Sequence, residues 1–145
     1  KELKNKNKIC FLRKKQKIDF YQKNRRAITN YNDIYKIIKN YGFIDFDNLN
    51  MSIEDSINVF SNASDLIIDN GAGAFNLMWC NENTNVILIN SPHASKYKKN
   101  SAGYYQAAKH IKNKWIINKK SNCHDNDWEF DNYMIIELKN ILNKL

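Results

Sequence analysis

Residues 65–76 read D-L-I-I-D-N-G-A-G-A-F-N, an order that few folds accommodate. Leu66, Ile67 and Ile68 form a short apolar run between Asp65 and Asp69, which suits a central parallel strand buried on both faces. Gly71, Ala72 and Gly73 then make a turn with almost no side-chain bulk, and they include two of only four glycines in 145 residues. Such bareness is expected where a ligand approaches the main chain. A helix from Ala74 to about Cys80 would aim its first N–H groups and the positive end of its dipole into that turn. A strand–turn–helix junction of this kind is suited to binding an anion.

The flanking sequence continues the alternation. Ile9 to Leu12 reads as a strand running into Arg13. Asn30 or Asn32 can cap a helix through about Tyr41, with Ile34, Ile37 and Ile38 on one face and Gly42 as its stop. Phe43 to Phe46 makes a second strand. Ser52 caps a helix to about Ala63 with an inner stripe of Ile53, Ile57 and Phe60, and Ser52 to Asp55 approximates a capping box. V-I-L-I-N ending at Asn90 is a fourth strand, stopped by Ser91-Pro92. A polar loop over 93–102, a short helix from Tyr104 to His110 and a strand from Lys114 to Asn118 follow. The last helix is expected from Asp127 to Leu145, with apolar contacts from Tyr133, Ile136, Leu138, Ile141 and Leu142. With no internal repeat and no Pro/Gly/Ser linker, this alternation specifies one α/β domain over 1–145: a Rossmann-like, mostly parallel sheet with helices on both faces. Residues 1–8 read as a frayed end or linker. The ligand is expected at the carboxyl ends of the strands, where Arg13, Asn70 and Asn90 lie.

The formal net charge is +8, from 23 Lys+Arg against 15 Asp+Glu, and a field of this sign favours anions: nucleoside diphosphates, nucleic acid or acidic lipid surfaces. Abundant Lys, Asn, Ile and Tyr reflect an AT-rich genome, which discounts the charge as a signal. Arginine is more informative, because Arg13, Arg25 and Arg26 are the only ones and all fall before residue 27. Cys10, Cys80 and Cys123 are odd in number and widely spaced, so reduced thiols in a cytoplasmic setting are expected, with Cys10 and Cys80 in the core. No apolar stretch approaches the roughly 20 residues needed to span a bilayer, and no signal peptide is visible. The chain opens at Lys1 without a methionine, as a piece of a longer protein would.

Other candidate motifs read as structural. Asp45-Phe46-Asp47 has the D-x-D form of a carboxylate pair for a divalent ion, but strand alternation sends both side chains to one solvent-facing side. Cys123-His124-Asp125 lacks a second ligand pair at usable spacing. His93 lies just past strand four as a loop residue, and Ser91 has no nucleophile elbow around it. Of Tyr104 and Tyr105, one is expected in the core. Trp79 and Trp115 are read as core, with Trp128 open. The basic start K-E-L-K-N-K-N-K lacks the interleaved aromatics of a single-strand binding groove, so nucleic acid is not expected.

A strand ending in Arg13, then Arg25-Arg26-Ala27-Ile28-Thr29-Asn30, Gly42-Phe43, M-S-I-E-D-S-I-N-V-F-S-N-A over Met51 to Ala63, and Gly71-Ala72 with Asn76 occur in an order that resembles the carboxyl-terminal half of glycosyltransferase family 61. That family includes capsular polysaccharide enzymes and extracellular O-linked GlcNAc and plant xylosyl transferases. The resemblance covers most of residues 9–92. It implies one half of a two-domain GT-B enzyme that binds a nucleotide sugar, UDP-linked by expectation. An amino-terminal half outside this chain would form the side for a glycan or glycoprotein acceptor, and no metal or other cofactor is implied. On this basis the donor and phosphate contacts are Arg13, Arg25, Arg26, Asn30, Asn70, Gly71, Ala72, Gly73, Ala74, Asn76 and Asn90, and no catalytic residue is named. Asn70 stands where the family usually has His, Asn90 where it has Glu and Ser56 where it has Gln. These departures keep alive a second reading, a noncatalytic binding or assembly module, ahead of a third, a basic nucleic-acid-binding domain.

Overall fold

The computed structural model describes residues 7–15, 26–47, 51–96, 106–120 and 126–145. Five strands form one sheet in the order β2-β1-β3-β4-β5: β1 (Asn7–Phe11), β2 (Ile44–Asp45), β3 (Ala63–Asp69), β4 (Asn85–Asn90) and β5 (Asn113–Asn118). Every pairing is parallel. Helices cover both faces, in a Rossmann-like α/β arrangement. On one face α1 (Tyr31–Lys39) and α4 (Asn132–Leu142) pack on Cys10, Ile67, Ile87, Ile89 and Ile117. On the other, α2 (Ile53–Ser61) and a 3-10 helix (Ala72–Trp79) cover Ile9, Leu66, Ile68, Val86 and Leu88. Central β3 and β4 bury both faces, which is why their sequences are continuous apolar runs rather than alternating ones.

The chain leaves β1 toward β2 on one side and later leaves β3 toward β4 on the other, so the direction of winding reverses between β1 and β3. Open parallel sheets receive ligands at such a reversal, in the crevice outside the carboxyl ends of the two strands. Arg13 extends β1, and the Asn70–Gly73 turn extends β3, on the two sides of it.

Local signals account for several helix ends. The Ser52 hydroxyl accepts from the Asp55 N–H at 3.0 Å and starts α2. Gly42, at φ +85°, closes the turn after α1 in the left-handed region that glycine enters without strain.

Other elements differ from the sequence reading. The Ile53 side chain is 80% exposed, so Phe60 rather than Ile53 anchors α2. The segment after Ser91 is helical over Pro92–Lys96 (α3) rather than a loop from residue 93, because Ser91 Oγ accepts from the Ala94 N–H at 3.3 Å and proline suits a first helical position. The last helix begins at Asn132, not Asp127, capped by Asp131, whose carboxylate accepts from the Met134 N–H at 3.0 Å. Its buried side is Met134, Leu138, Ile141 and Leu142, while Tyr133 and Ile136 face out. Trp79 is 40% exposed rather than core. Trp128, left open by the sequence, is buried and stacks on Phe130 at 6.0 Å.

The helix after β3 is 3-10 rather than α, and its apolar spacing explains this. Ala74, Leu77 and Cys80 recur every third residue and are buried, whereas Phe75 and Met78 recur the same way and are exposed. Side chains three apart eclipse at three residues per turn, so this winding stacks all three small or apolar groups in line on the sheet.

Candidate functional site

The site is built from β1 and β3 outward. Side chains alternate along β1, so Arg13 falls on the same face as Ile9 and Phe11, the face that carries the 3-10 helix. Its guanidinium lies against the turn: a Cβ built on Gly71 would sit 2.8 Å from Arg13 Nη2 and 3.4 Å from Asp69 Oδ2. Gly71 is in extended backbone (φ −154°), so space rather than conformation excludes a side chain there. A Cβ on Gly73 would meet Phe11 Cε1 at 2.7 Å, and that ring is held edge-to-face by Phe46 and Phe60 at 5.4 and 5.8 Å. The bareness of the turn is thus accounted for by two β1 side chains packed against it. Ala72 is exposed and Ala74 is buried under the helix. The opening N–H groups of any helix have no acceptor within the helix, so this first turn offers donors beside the Arg13 guanidinium.

Asp69, which the sequence reading passed over, ends β3 at the centre of the cluster. Its Oδ2 lies 3.8 Å from Arg13 Nε. Burial pushes its carboxyl above the ordinary 3.8, against the opposing charges of Arg13 and, more weakly, Arg26. Both guanidinium charges therefore act on one carboxylate. A carboxyl that is easier to protonate folded than unfolded stabilises the fold most at low pH, and that contribution is lost as pH rises through the raised value. The stability of the natural protein relative to Asp69→Asn, followed by thermal melts across acid pH, should accordingly fall as pH rises above 3.8. A relative stability that climbed with pH would contradict this assignment.

Arg26 adopts φ +64°, an uncommon backbone for a residue with a side chain. The surrounding hydrogen bonds hold it there. The Trp128 indole Nε1 donates to the Arg26 carbonyl at 3.1 Å, and the Ala27 N–H donates to Asp127 Oδ1 at 3.0 Å. Further along, the Ile28 N–H donates to the Arg13 carbonyl at 3.0 Å and the Thr29 N–H to the Trp128 carbonyl at 2.9 Å. Residues 26–29 are thereby stitched between the extension of β1 and the segment that precedes α4.

The asparagines separate into groups. Asn30 uses both ends of its amide on one residue, donating to the Phe130 carbonyl at 2.9 Å and accepting from its N–H at 3.0 Å. Asn76 donates to the Gly73 carbonyl at 3.0 Å, bracing the turn. Asn70 donates to Asn90 Oδ1 at 2.9 Å, and Asn90 donates to Asn118 Oδ1 at 2.8 Å. Asn118 was not singled out from the sequence, though the shared endings I-L-I-N and W-I-I-N of two strands were a signal for it. Arg25 lies outside the described residues, as do Tyr104, Tyr105, Cys123, His124 and Asp125.

Asp45 of the D-x-D pattern is half-buried rather than solvent-facing. It accepts from Tyr31 Oη at 2.6 Å and from Lys14 Nζ at 2.7 Å, and Lys14 also lies 4.0 Å from Asp47. A lysine ammonium thus stands between the two carboxylates. Among the described residues no group of three or more His, Cys, Asp or Glu could hold a metal ion. Burial pushes the Cys10 and Cys80 thiols up to about 12, so both are inert core groups. His93 is half-buried on α3. No helix among the described residues is long and apolar enough to cross a membrane.

Comparison with curated proteins and with solved structures gives no match. Comparison with protein families does: the model of Glycosyltransferase 61 matches residues 1–87, more than half of the 145. The matched part holds Arg13, Arg26, both sides of the β1/β3 crevice and the glycine turn. The chain belongs to glycosyltransferase family 61.

Proposed function

We propose that this glycosyltransferase-family domain is the nucleotide-sugar-binding half of a GT-B enzyme and seats the donor diphosphate over the β1/β3 crevice. The observation that carries the reading is the Arg13 guanidinium lying against Gly71 at the mouth of the 3-10 helix, with the charge of Arg26 reaching the same end of β3. In sugar transfer the bond from the anomeric carbon to the diphosphate breaks, and negative charge builds on the departing diphosphate. Donors already fixed at that position stabilise the transition state without reorganising. Arg13 would take phosphate oxygens in charge-assisted, fork-shaped contacts, Arg26 would add its charge, and the first N–H groups of the turn would supply neutral donors. These groups can support the leaving diphosphate without a metal. UDP-linked sugars are the expected donors, with a glycan or glycoprotein acceptor bound largely by an amino-terminal half.

The noncatalytic module is favoured by one feature: Asn70 and Asn90 offer hydrogen bonds but no titratable group. A module that still binds nucleotide sugar would keep the donor site and differ in turnover, whereas a glycan-binding or assembly module would not need that site.

Thermal melts with UDP, GDP and CMP at millimolar concentration test the donor site. A ligand at a hundred times its Kd stabilises by about 2.7 kcal/mol, which for a domain of this size is a shift of roughly 5–10 °C. UDP is expected to give it. No shift with any of the three would contradict the reading, and binding to DNA or RNA that falls steeply with salt would favour the nucleic-acid alternative.

A further inference from the structure

The carboxyl ends of β3, β4 and β5 carry three asparagines at one level. Asn90 and Asn118 are partners in the strand register, and Asn70 follows Asp69, the partner of Ile89, so it stands opposite Asn90. The main chain keeps this spacing beyond the strands: the Asn70 N–H donates to the Ile89 carbonyl at 2.9 Å, and the Lys119 N–H to the Asn90 carbonyl at 3.0 Å. Asn70 and Asn90 alternate with Ile68 and Leu88, and so lie on the face of the 3-10 helix. Their amides run head to tail from Asn70 through the buried Asn90 to Asn118, at 2.9 and 2.8 Å.

A second ladder at the opposite end of the same strands shows what a purely structural version looks like. Asn113 donates to Asn85 at 3.0 Å and Asn85 to Asp65 at 2.7 Å, and the carboxylate is closed off by Ser64 at 2.9 Å and Lys8 at 3.8 Å. Its donors converge on a charge at the end of the sheet where parallel folds bind nothing. The carboxyl-end ladder runs the other way. Among the described residues it contains no charge, its donors point toward β5, and its first member adjoins Gly71.

That direction has a chemical consequence. With Nδ2 committed to Asn90, the planar amide of Asn70 has the position of its Oδ1 fixed, and among the described residues nothing donates to that oxygen. A carbonyl oxygen only accepts hydrogen bonds, so it is matched to a hydroxyl and mismatched to a phosphate oxygen. We propose that Asn118, acting through Asn90, is a positioning residue that holds the Asn70 carbonyl oxygen to the cleft, where it accepts a hydrogen bond from a hydroxyl of the transferred sugar. The inference rests on the donor reading and refines it: Arg13 holds the diphosphate and Asn70 reads the sugar.

Calorimetric titration with UDP and with UDP-glucose, UDP-galactose, UDP-N-acetylglucosamine and UDP-xylose separates the two claims. One net hydrogen bond should make the best of these sugar nucleotides bind about 3- to 10-fold tighter than UDP. Asn118→Leu should abolish that advantage and leave UDP affinity unchanged, and Asn118→Ala repeats the test without added bulk. Asn118→Asp should retain the advantage, because a carboxylate still accepts from Asn90 Nδ2 and keeps the ladder in its direction. The inference is overturned if Asn118→Leu and Asn118→Ala keep the preference, if Asn118→Asp loses it as fully as they do, or if the natural protein binds UDP without preferring any sugar. Absence of UDP binding overturns the donor reading itself, and this one with it.

Discussion

Replacing Arg13 with alanine is expected to weaken binding of a nucleoside diphosphate by about 10- to 100-fold, the effect of losing a charge-assisted contact of ~1.5–3 kcal/mol. The size follows from position. Its guanidinium fills the space that a side chain at Gly71 would take, so it reaches the helix mouth from the strand on the other side of the crevice. A smaller residue leaves nothing there to bridge β1 to a ligand over β3. Arg13→Lys should recover only part of the affinity, since an ammonium keeps the charge but not the planar fork. The pair with Asp69 is long, at 3.8 Å, and partly exposed, so its loss should cost less than about 1 kcal/mol in urea denaturation. Arg26→Ala should weaken diphosphate binding in the same direction. Unchanged UDP affinity in Arg13→Ala would remove that residue from the site.

The second large effect is expected at Trp128, where one side chain supports both the core and the site. Trp128→Ala should destabilise the domain by ~3–5 kcal/mol, a large part of the ~5–15 kcal/mol that holds a typical domain folded. The indole is buried, stacks on Phe130 and donates to the Arg26 carbonyl at 3.1 Å. Its removal opens a cavity and also takes away one of the hydrogen bonds that hold the Arg26 backbone at φ +64°. Trp128→Phe separates the two roles. It preserves most of the packing, should cost about 1 kcal/mol for the lost hydrogen bond, and should still weaken diphosphate binding because one of the hydrogen bonds that hold Arg26 is gone. Urea denaturation of both variants checks the order. An alanine variant within about 1 kcal/mol of the natural protein would show that the segment before α4 is not structurally coupled to Arg26.

The layered α/β plan was legible because β3 and β4 carry unbroken apolar runs that only a doubly covered parallel strand can bury. The glycine turn was legible too, but the reason for its bareness was not. Residue types do not say that Phe11 and Arg13 from a neighbouring strand press against Gly73 and Gly71, since strand order is a tertiary property. The structural roles of Trp128 and Asn30 were not legible for the same reason: their partners lie about a hundred residues away in sequence. Asp69 read as the polar end of a strand, and only the packed structure shows it beside Arg13 and under the weaker charge of Arg26. The start of the last helix was misplaced because Asp127 serves the Ala27 N–H across the molecule instead of capping a helix locally. The helix after β3 was legible, but its 3-10 winding was not, since the three-residue repeat of Ala74, Leu77 and Cys80 takes on meaning only once the buried side is known.

The central claim is that the mouth of the 3-10 helix, with Arg13 beside it, receives a diphosphate. Titrating the isotopically labelled protein with UDP while following main-chain amide resonances tests this most directly. The account predicts that the Gly71, Ala72 and Gly73 amide signals move first and saturate together with the Arg13 guanidinium signal. Saturable UDP binding that leaves those signals in place, and shifts residues away from the β1/β3 crevice, would contradict it.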